Sequence, residues 1–204
     1  MNNVDHYKTI NAPSEEVLYK ERNSKFYAYA FPVSNESEIK RILSDLKKKH
    51  YGARHWCYAY RLGIDSTVYR ANDDGEPNNS AGQPIYGQIQ SFELTNILVV
   101  VVRYFGGTKL GISGLINAYK SAARLSLEHS NIITKTIDIL YEVRFDYKNM
   151  NTVMRIVKEH HIKIVNQEME LKCMIKISVP RNNSKRIYDL MANRPEINIR
   201  KIDV

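Results

Sequence analysis

Residues 99–114 read VVVVRYFGGTKLGISG: four valines, an arginine and two aromatic residues, then four glycines within nine positions. Gly106, Gly107, Gly111 and Gly114 are four of the nine glycines in the chain. Contiguous β-branched residues favour a buried strand, whereas glycine permits sharp turns and close backbone approach. The stretch predicts a strand over 96–105 that passes through a tight corner into a helix over about 111–128. In that helix Leu115, Ala118, Tyr119, Ala122 and Leu125 form one apolar stripe. A strand, glycines and a helix N-terminus in series also make an anion cradle, because free backbone N–H groups point at the ligand. Arg103 and Lys109 would add charge there. The spacing fits neither the GxxxxGKS/T nor the GxGxxG pattern, so the corner reads equally as a ligand site or as helix–sheet packing.

Working outward, SKFYAYAFPV (24–33) predicts a strand. Behind Ser34-Asn35, Ile39, Ile42, Leu43 and Leu46 recur at helical spacing, and Lys47-Lys48-Lys49 complement the helix dipole before Gly52 stops it. HWCYAYRL (55–62) predicts a strand with Trp56, Tyr58 and Tyr60 on one face and Cys57, Ala59 and Arg61 on the other. Residues 66–71 pair with it across Gly63-Ile64-Asp65 as a hairpin. NDDGEPNNSAGQ (72–83) is the longest loop, and its Asp73, Asp74 and Glu76 could hold a cation, act as acid and base, or sit in a solvated turn. A helix over 85–94 and a strand over 132–138 complete this half.

Past residue 139 the pattern becomes strand (140–147), helix (150–160), strands (162–167 and 171–179), helix (183–193) and strand (197–202). That β-α-β-β-α-β order in about 65 residues is the split βαβ arrangement. Two domains are expected, 1–138 and 139–204.

The 204 residues, 43% of them hydrophobic, suffice for a real core. Two distant cysteines, Cys57 and Cys173, speak against a disulfide framework. MNNVDHYKTI lacks a signal-peptide core, and the run from Ile97 to Val102 is too short to span a bilayer, so the expected location is cytoplasmic with no membrane partner. Of the net charge of +8, +5 falls on residues 139–204 (13 basic against 8 acidic), which suits nucleic acid, an acidic partner, or solubility alone. His55 and Cys57 share a strand face, but no second pair stands at zinc spacing and no orienting group completes a nucleophile. No catalytic set, metal site or cofactor is expected.

The pattern as a whole resembles the IMPACT/YigZ family. The residues that carry the likeness are SKFYAYAFPV (24–33), HWCYAYRLG (55–63), NDDGEPNNSAGQPI (72–85) and NILVVVVRYFGGTKLGISGLINAYKSAA (96–123). Order and spacing match over roughly 15–135, and DDGEP with RYFGGTKLG is the joint signature. Asn78, Asn79, Ser113 and Asn117 depart from the family's usual residues. The resemblance implies an α+β protein. Its N-terminal domain would be like the second domain of a small-subunit ribosomal protein, and residues 139–204 a ferredoxin-like βαββαβ domain resembling domain V of elongation factor G. It also implies a link to translational control, in which eukaryotic relatives act.

These implications favour a non-enzymatic, translation-associated regulatory protein that binds RNA, the ribosome or a translation factor. The alternative is an enzyme acting on a phosphorylated or nucleotide substrate at the Gly106–Gly114 corner. Arg103, Tyr104, Gly106, Gly107, Lys109, Gly111, Gly114, Asp73, Asp74 and Glu76 would form one partner- or anion-binding surface. Lys185 and Arg186, on the second helix of the C-terminal domain, are the expected RNA contacts.

Overall fold

The computed structural model describes residues 5–64 and 67–202, so Asp65 and Ser66, expected at a turn and a strand start, lie outside the described residues. In chain order the first elements are β1 (His6–Ile10), β2 (Val17–Glu21), β3 (Ser24–Pro32), α1 (Glu36–Lys49), β4 (His55–Leu62) and β5 (Val68–Asn72). Next come α2 (Gly82–Ser91), β6 (Ile97–Tyr104), α3 (Gly111–Glu128) and β7 (Ile132–Thr136). The rest is β8 (Asp138–Asp146), α4 (Met150–Glu159), β9 (Lys163–Glu168), β10 (Lys172–Pro180), α5 (Arg181–Ala192) and β11 (Ile197–Ile202). The chain divides into two compact units, Tyr7–Lys135 and a second that begins at Thr136 and takes in Asp5 and His6. Both are mixed α and β.

In the first unit a five-stranded antiparallel sheet has the order β2-β3-β6-β4-β5. The apolar run forms β6, its central strand. Ile97, Val99 and Val101 join a cluster with Ile85 and Ile89 of α2 and Leu115, Tyr119 and Leu127 of α3. Leu98, Val100 and Val102 join another with Ile39 and Leu46 of α1. Because helices cover both faces, every residue from Ile97 to Val102 is fully buried, and the strand needs no polar alternation. β1 and β7 form a separate two-stranded sheet.

Local chemistry sets the boundaries. Asn35 caps α1, its Oδ1 accepting from the Glu38 N–H at 3.0 Å, and Lys47, Lys48 and Lys49 fill the last turn. α2 starts at Gly82, three residues before the helix expected at 85, because its cap comes from far upstream: Asp73 Oδ1 accepts from the N–H groups of Ala81 and Gly82. β1 and β2 had no counterpart in the sequence reading. The β2–β3 hairpin turns on Arg22 and Asn23, both with positive φ (42° and 68°), a tight turn made without glycine.

In the second unit β8, α4, β9, β10, α5 and β11 follow one another as β-α-β-β-α-β, with sheet order β11-β8-β10-β9. Val153, Ile156 and Val157 of α4 and Ile187 and Met191 of α5 pack on Tyr141, Val143, Phe145, Ile175 and Ile177. Cys173 is buried in this cluster as a free thiol. Among the described residues no helix is long and apolar enough to cross a membrane.

Candidate functional site

β6 ends in Arg103 and Tyr104, and alternation sends them to opposite sides of the sheet. Arg103 continues the set of Val99 and Val101 and is 6% exposed. Its Nη1 donates to Glu76 Oε1 at 2.6 Å, and the Tyr119 hydroxyl on α3 donates to the same oxygen at 2.8 Å. The guanidinium carbon lies 5.6 Å from the Phe26 ring centre and 5.5 Å from that of Phe105. Glu76 is 8% exposed. The space between the acidic loop and the end of β6 is therefore filled by a buried Arg–Glu–Tyr cluster flanked by aromatic rings.

This corrects the expected surface. Arg103 was to be one of its cations and Glu76 one of its anions, yet each neutralises the other inside the fold. A buried charge needs such a partner, since desolvation would otherwise cost several kcal/mol. Asp73 is also engaged: besides capping α2, its Oδ2 accepts from the Asn79 N–H at 2.9 Å. Asp74, at φ 42°, accepts through Oδ2 from the Trp56 N–H at 2.8 Å, and its carbonyl takes a bond from His55 Nδ1 at 2.9 Å. The three carboxylates are structural ties: Glu76 to β6 and α3, Asp73 to α2, Asp74 to β4.

Tyr104 faces α1. Its hydroxyl lies 3.1 Å from His50 Nδ1, and His50 Nε2 lies 2.5 Å from the Tyr29 hydroxyl, which donates to Glu16. Lys49 Nζ binds Glu16 at 2.8 Å, so Tyr104, His50, Tyr29, Glu16 and Lys49 form one chain of bonds. Burial holds the His50 imidazole below its ordinary pKa, and the Lys49 and Tyr29 bonds hold the Glu16 carboxyl below its own. The sequence reading missed this chain, since His50 stands at a helix end with no motif around it.

The glycines divide by cause. A Cβ on Gly106 would stand 2.1 Å from the Asn23 carbonyl carbon and 2.4 Å from the Ser24 nitrogen, so this glycine lets the corner pass against the β2–β3 turn. Gly107 and Gly111 have φ of +87° and +72°, with open space around the position of a Cβ. Gly114 sits in the first turn of α3, where a Cβ would be 3.1 Å from Leu110 Cβ. Thr108 and Lys109 are exposed. Cys57 is buried, its thiol donating to the Asp73 carbonyl at 3.0 Å, and burial pushes its pKa up, so it is a packed thiol rather than a nucleophile. On α5, Lys185 and Arg186 are exposed, and Arg186 Nη2 lies 3.1 Å from His160 Nδ1. Among the described residues no three His, Cys, Asp or Glu side chains are grouped to hold a metal ion.

The family model of the Impact N-terminal domain matches residues 22–127, which contain the acidic loop, β6 and the corner. IMPACT family member YvyE of Bacillus subtilis is 33% identical over 153 residues, 75% of this chain and 70% of that one. IMPACT family member YigZ of Escherichia coli is 27% identical over 84% of this chain and 85% of that one. The crystal structure of a hypothetical protein aligns over 98% of both chains with a TM-score of 0.73 and 24% identity, a likeness of fold. The signature segments, their place around β6 and these matches agree: the chain belongs to the IMPACT family.

Proposed function

We propose that this protein is a translation-associated regulatory module that binds RNA through exposed basic residues, by binding rather than by catalysis. The observation that carries the reading is the division of charge. Asp73, Asp74 and Glu76 are engaged by backbone N–H groups and by Arg103, while Lys109, Lys185 and Arg186 are exposed. Phosphates then meet cations without competition from the loop's carboxylates. The role in translational control implied for the family supports the reading, as does the basic stretch from 139 to 204. The same reading takes residues 1–138 as a counterpart of the second domain of a small-subunit ribosomal protein. It takes 139–204 as a ferredoxin-like counterpart of elongation factor G domain V, for which the βαββαβ order speaks. An enzyme at the Gly106–Gly114 corner would need a free base there, and the loop's carboxylates are already bound.

The test is a salt titration of the binding of an RNA hairpin. Each cation that neutralises a phosphate steepens log K against log salt by about 0.9. Lys185→Ala with Arg186→Ala should flatten the slope by about 2, and Lys109→Ala by about 1. No binding at low salt, or slopes that none of these changes, would replace RNA by a protein partner such as a translation factor.

A further inference from the structure

The first unit carries a basic, aromatic groove that the Arg103–Glu76–Tyr119 cluster does not line. It lies between α1 and the β4–β5 hairpin, has a volume of about 620 Å³, and is walled by Lys40, Lys47 and Lys48 on one side and Trp56, Tyr58 and Asn72 on the other. The three lysines, at i, i+7 and i+8, share one side of α1, and all are exposed. Trp56 and Tyr58 alternate with buried Cys57 and Ala59, so both rings face the groove side of the sheet, about 7 Å apart along the strand. The Trp56 ring face is open enough for Lys47 Nζ to lie 5.4 Å over its centre. Asn72 Nδ2 donates to the Tyr58 hydroxyl at 3.5 Å, leaving that ring's position tied to β5. The one carboxylate in the lining, Asp74, is turned to the Trp56 backbone N–H.

We infer that this groove takes a segment of single-stranded RNA, its bases on Trp56 and Tyr58 and its phosphates on Lys40, Lys47 and Lys48. The inference rests on the RNA-binding reading above and gives it a second, separate site. Cations alone would suit any acidic chain. A wall of flat rings facing a wall of cations suits a polymer that carries flat bases along one edge and phosphates along the other, and the stacking tolerates any sequence because every base has a π face. The flexible Lys47 side chain leaves the Trp56 face to an incoming base and follows the phosphate. Duplex RNA, whose bases are already stacked, has nothing to offer the rings.

Trp56 is the chain's single tryptophan, so its emission reports on this groove alone. The experiment adds a 12-residue oligouridylate to the full-length protein. Fluorescence anisotropy of a labelled oligomer reports binding anywhere, and quenching of Trp56 reports binding in the groove. The expected result is saturable quenching that parallels the anisotropy and is reversed by salt. Replacing Lys40, Lys47 and Lys48 together by Gln, all on exposed positions of α1, should flatten the salt slope by about 2, since each single-strand phosphate contact contributes about 0.7. Lys120→Gln, at an exposed position of α3 outside both surfaces, should leave the quenching unchanged. An anisotropy rise without quenching, and with the same slope in the triple variant, overturns the groove and leaves the RNA reading intact. No anisotropy rise at low salt overturns the groove, and the hairpin titration above then decides the RNA reading by itself. Equal quenching and full competition by polyglutamate at matched charge overturns the RNA assignment in favour of an acidic protein segment.

Discussion

Removing Arg103 should destabilise the first unit far more than removing any exposed cation. The Arg103 and Glu76 side chains are 7% and 4% exposed, and their atoms meet at 2.6 Å. Arg103→Met keeps the volume but leaves the Glu76 carboxylate buried with Tyr119 as its remaining partner. Breaking a buried pair in this way costs about 3–5 kcal/mol. The unit spans Tyr7–Lys135, roughly 130 residues, for which the entropy of unfolding is about 0.27 kcal/mol/K near 60 °C. The midpoint should then fall by roughly 11–19 °C. Removing both charges, as Arg103→Met with Glu76→Leu, should recover much of the loss, to within about 1–3 kcal/mol of the native protein, because the charges leave together and the Tyr119 hydroxyl, losing its carboxylate acceptor, keeps the Cys57 thiol as a partner. Thermal and urea unfolding followed by circular dichroism closes the cycle. A single variant within about 1 kcal/mol of the native protein would refute the argument, since that is the scale of a solvated surface pair.

Three other outcomes follow from the same geometry. Gly106→Ala should cost about 1–3 kcal/mol, because the new Cβ meets backbone atoms of Asn23 and Ser24 that cannot swing aside, and thermal unfolding of the purified variant checks it. Asp73→Ala should cost about 1–2 kcal/mol and speed amide exchange at Ala81 and Gly82, whose N–H groups lose their acceptor. His50, held neutral by burial between Tyr29 and Tyr104, with Glu16 and Lys49 in the same bonded chain, has a folded pKa below its unfolded one near 6.5. Its contribution is therefore full above pH 6.5 and is lost as pH falls towards the folded value. Melting temperatures should decline as pH falls below 6.5, and His50→Gln should make that decline shallower.

The strands and helices that the sequence announced are those whose own residues carry the signal. β6 is legible because cover on both faces makes every position apolar. In the C-terminal stretch α4 and α5 are legible by the helical spacing of their buried residues, and β10 by the alternation of Lys172, Met174 and Lys176 with buried Cys173, Ile175 and Ile177. β2 is not, since it is five residues whose two charged positions, Lys20 and Glu21, stand side by side, and it ends at an Arg22-Asn23 turn that lacks the glycine by which such turns are usually read. The start of α2 is hidden for a different reason. Its N-cap residue, Ala81, offers no side-chain bond, and the cap comes from Asp73, nine positions before Gly82. A non-local cap leaves no mark beside the helix it starts.

The site was misread at one step, and the missing step was available in the strand's own period. Side chains alternate along β6, so Arg103 belongs with Val99 and Val101, the set that faces α2 and α3, while Tyr104 belongs with Val100 and Val102. An arginine on the core side of a strand buried on both faces must find an anion there. The DDGEP loop supplies it, and Tyr119, which read only as part of the apolar stripe, adds the hydroxyl that completes it. What the sequence lacks is the pairing itself, because Glu76 and Arg103 stand 27 residues apart and nothing local links them. Once the pair is made, the signature splits at Gly106. The residues before it hold the acidic loop, the sheet and α3 together, and a change there should be felt first as stability. Lys109 lies beyond it, exposed at the approach to α3, where a change should be felt first in binding. A variant of Lys109 that melts like the native protein yet binds RNA with a flatter salt slope would separate the two roles, and Arg103→Met, which should lose stability first, is its counterpart.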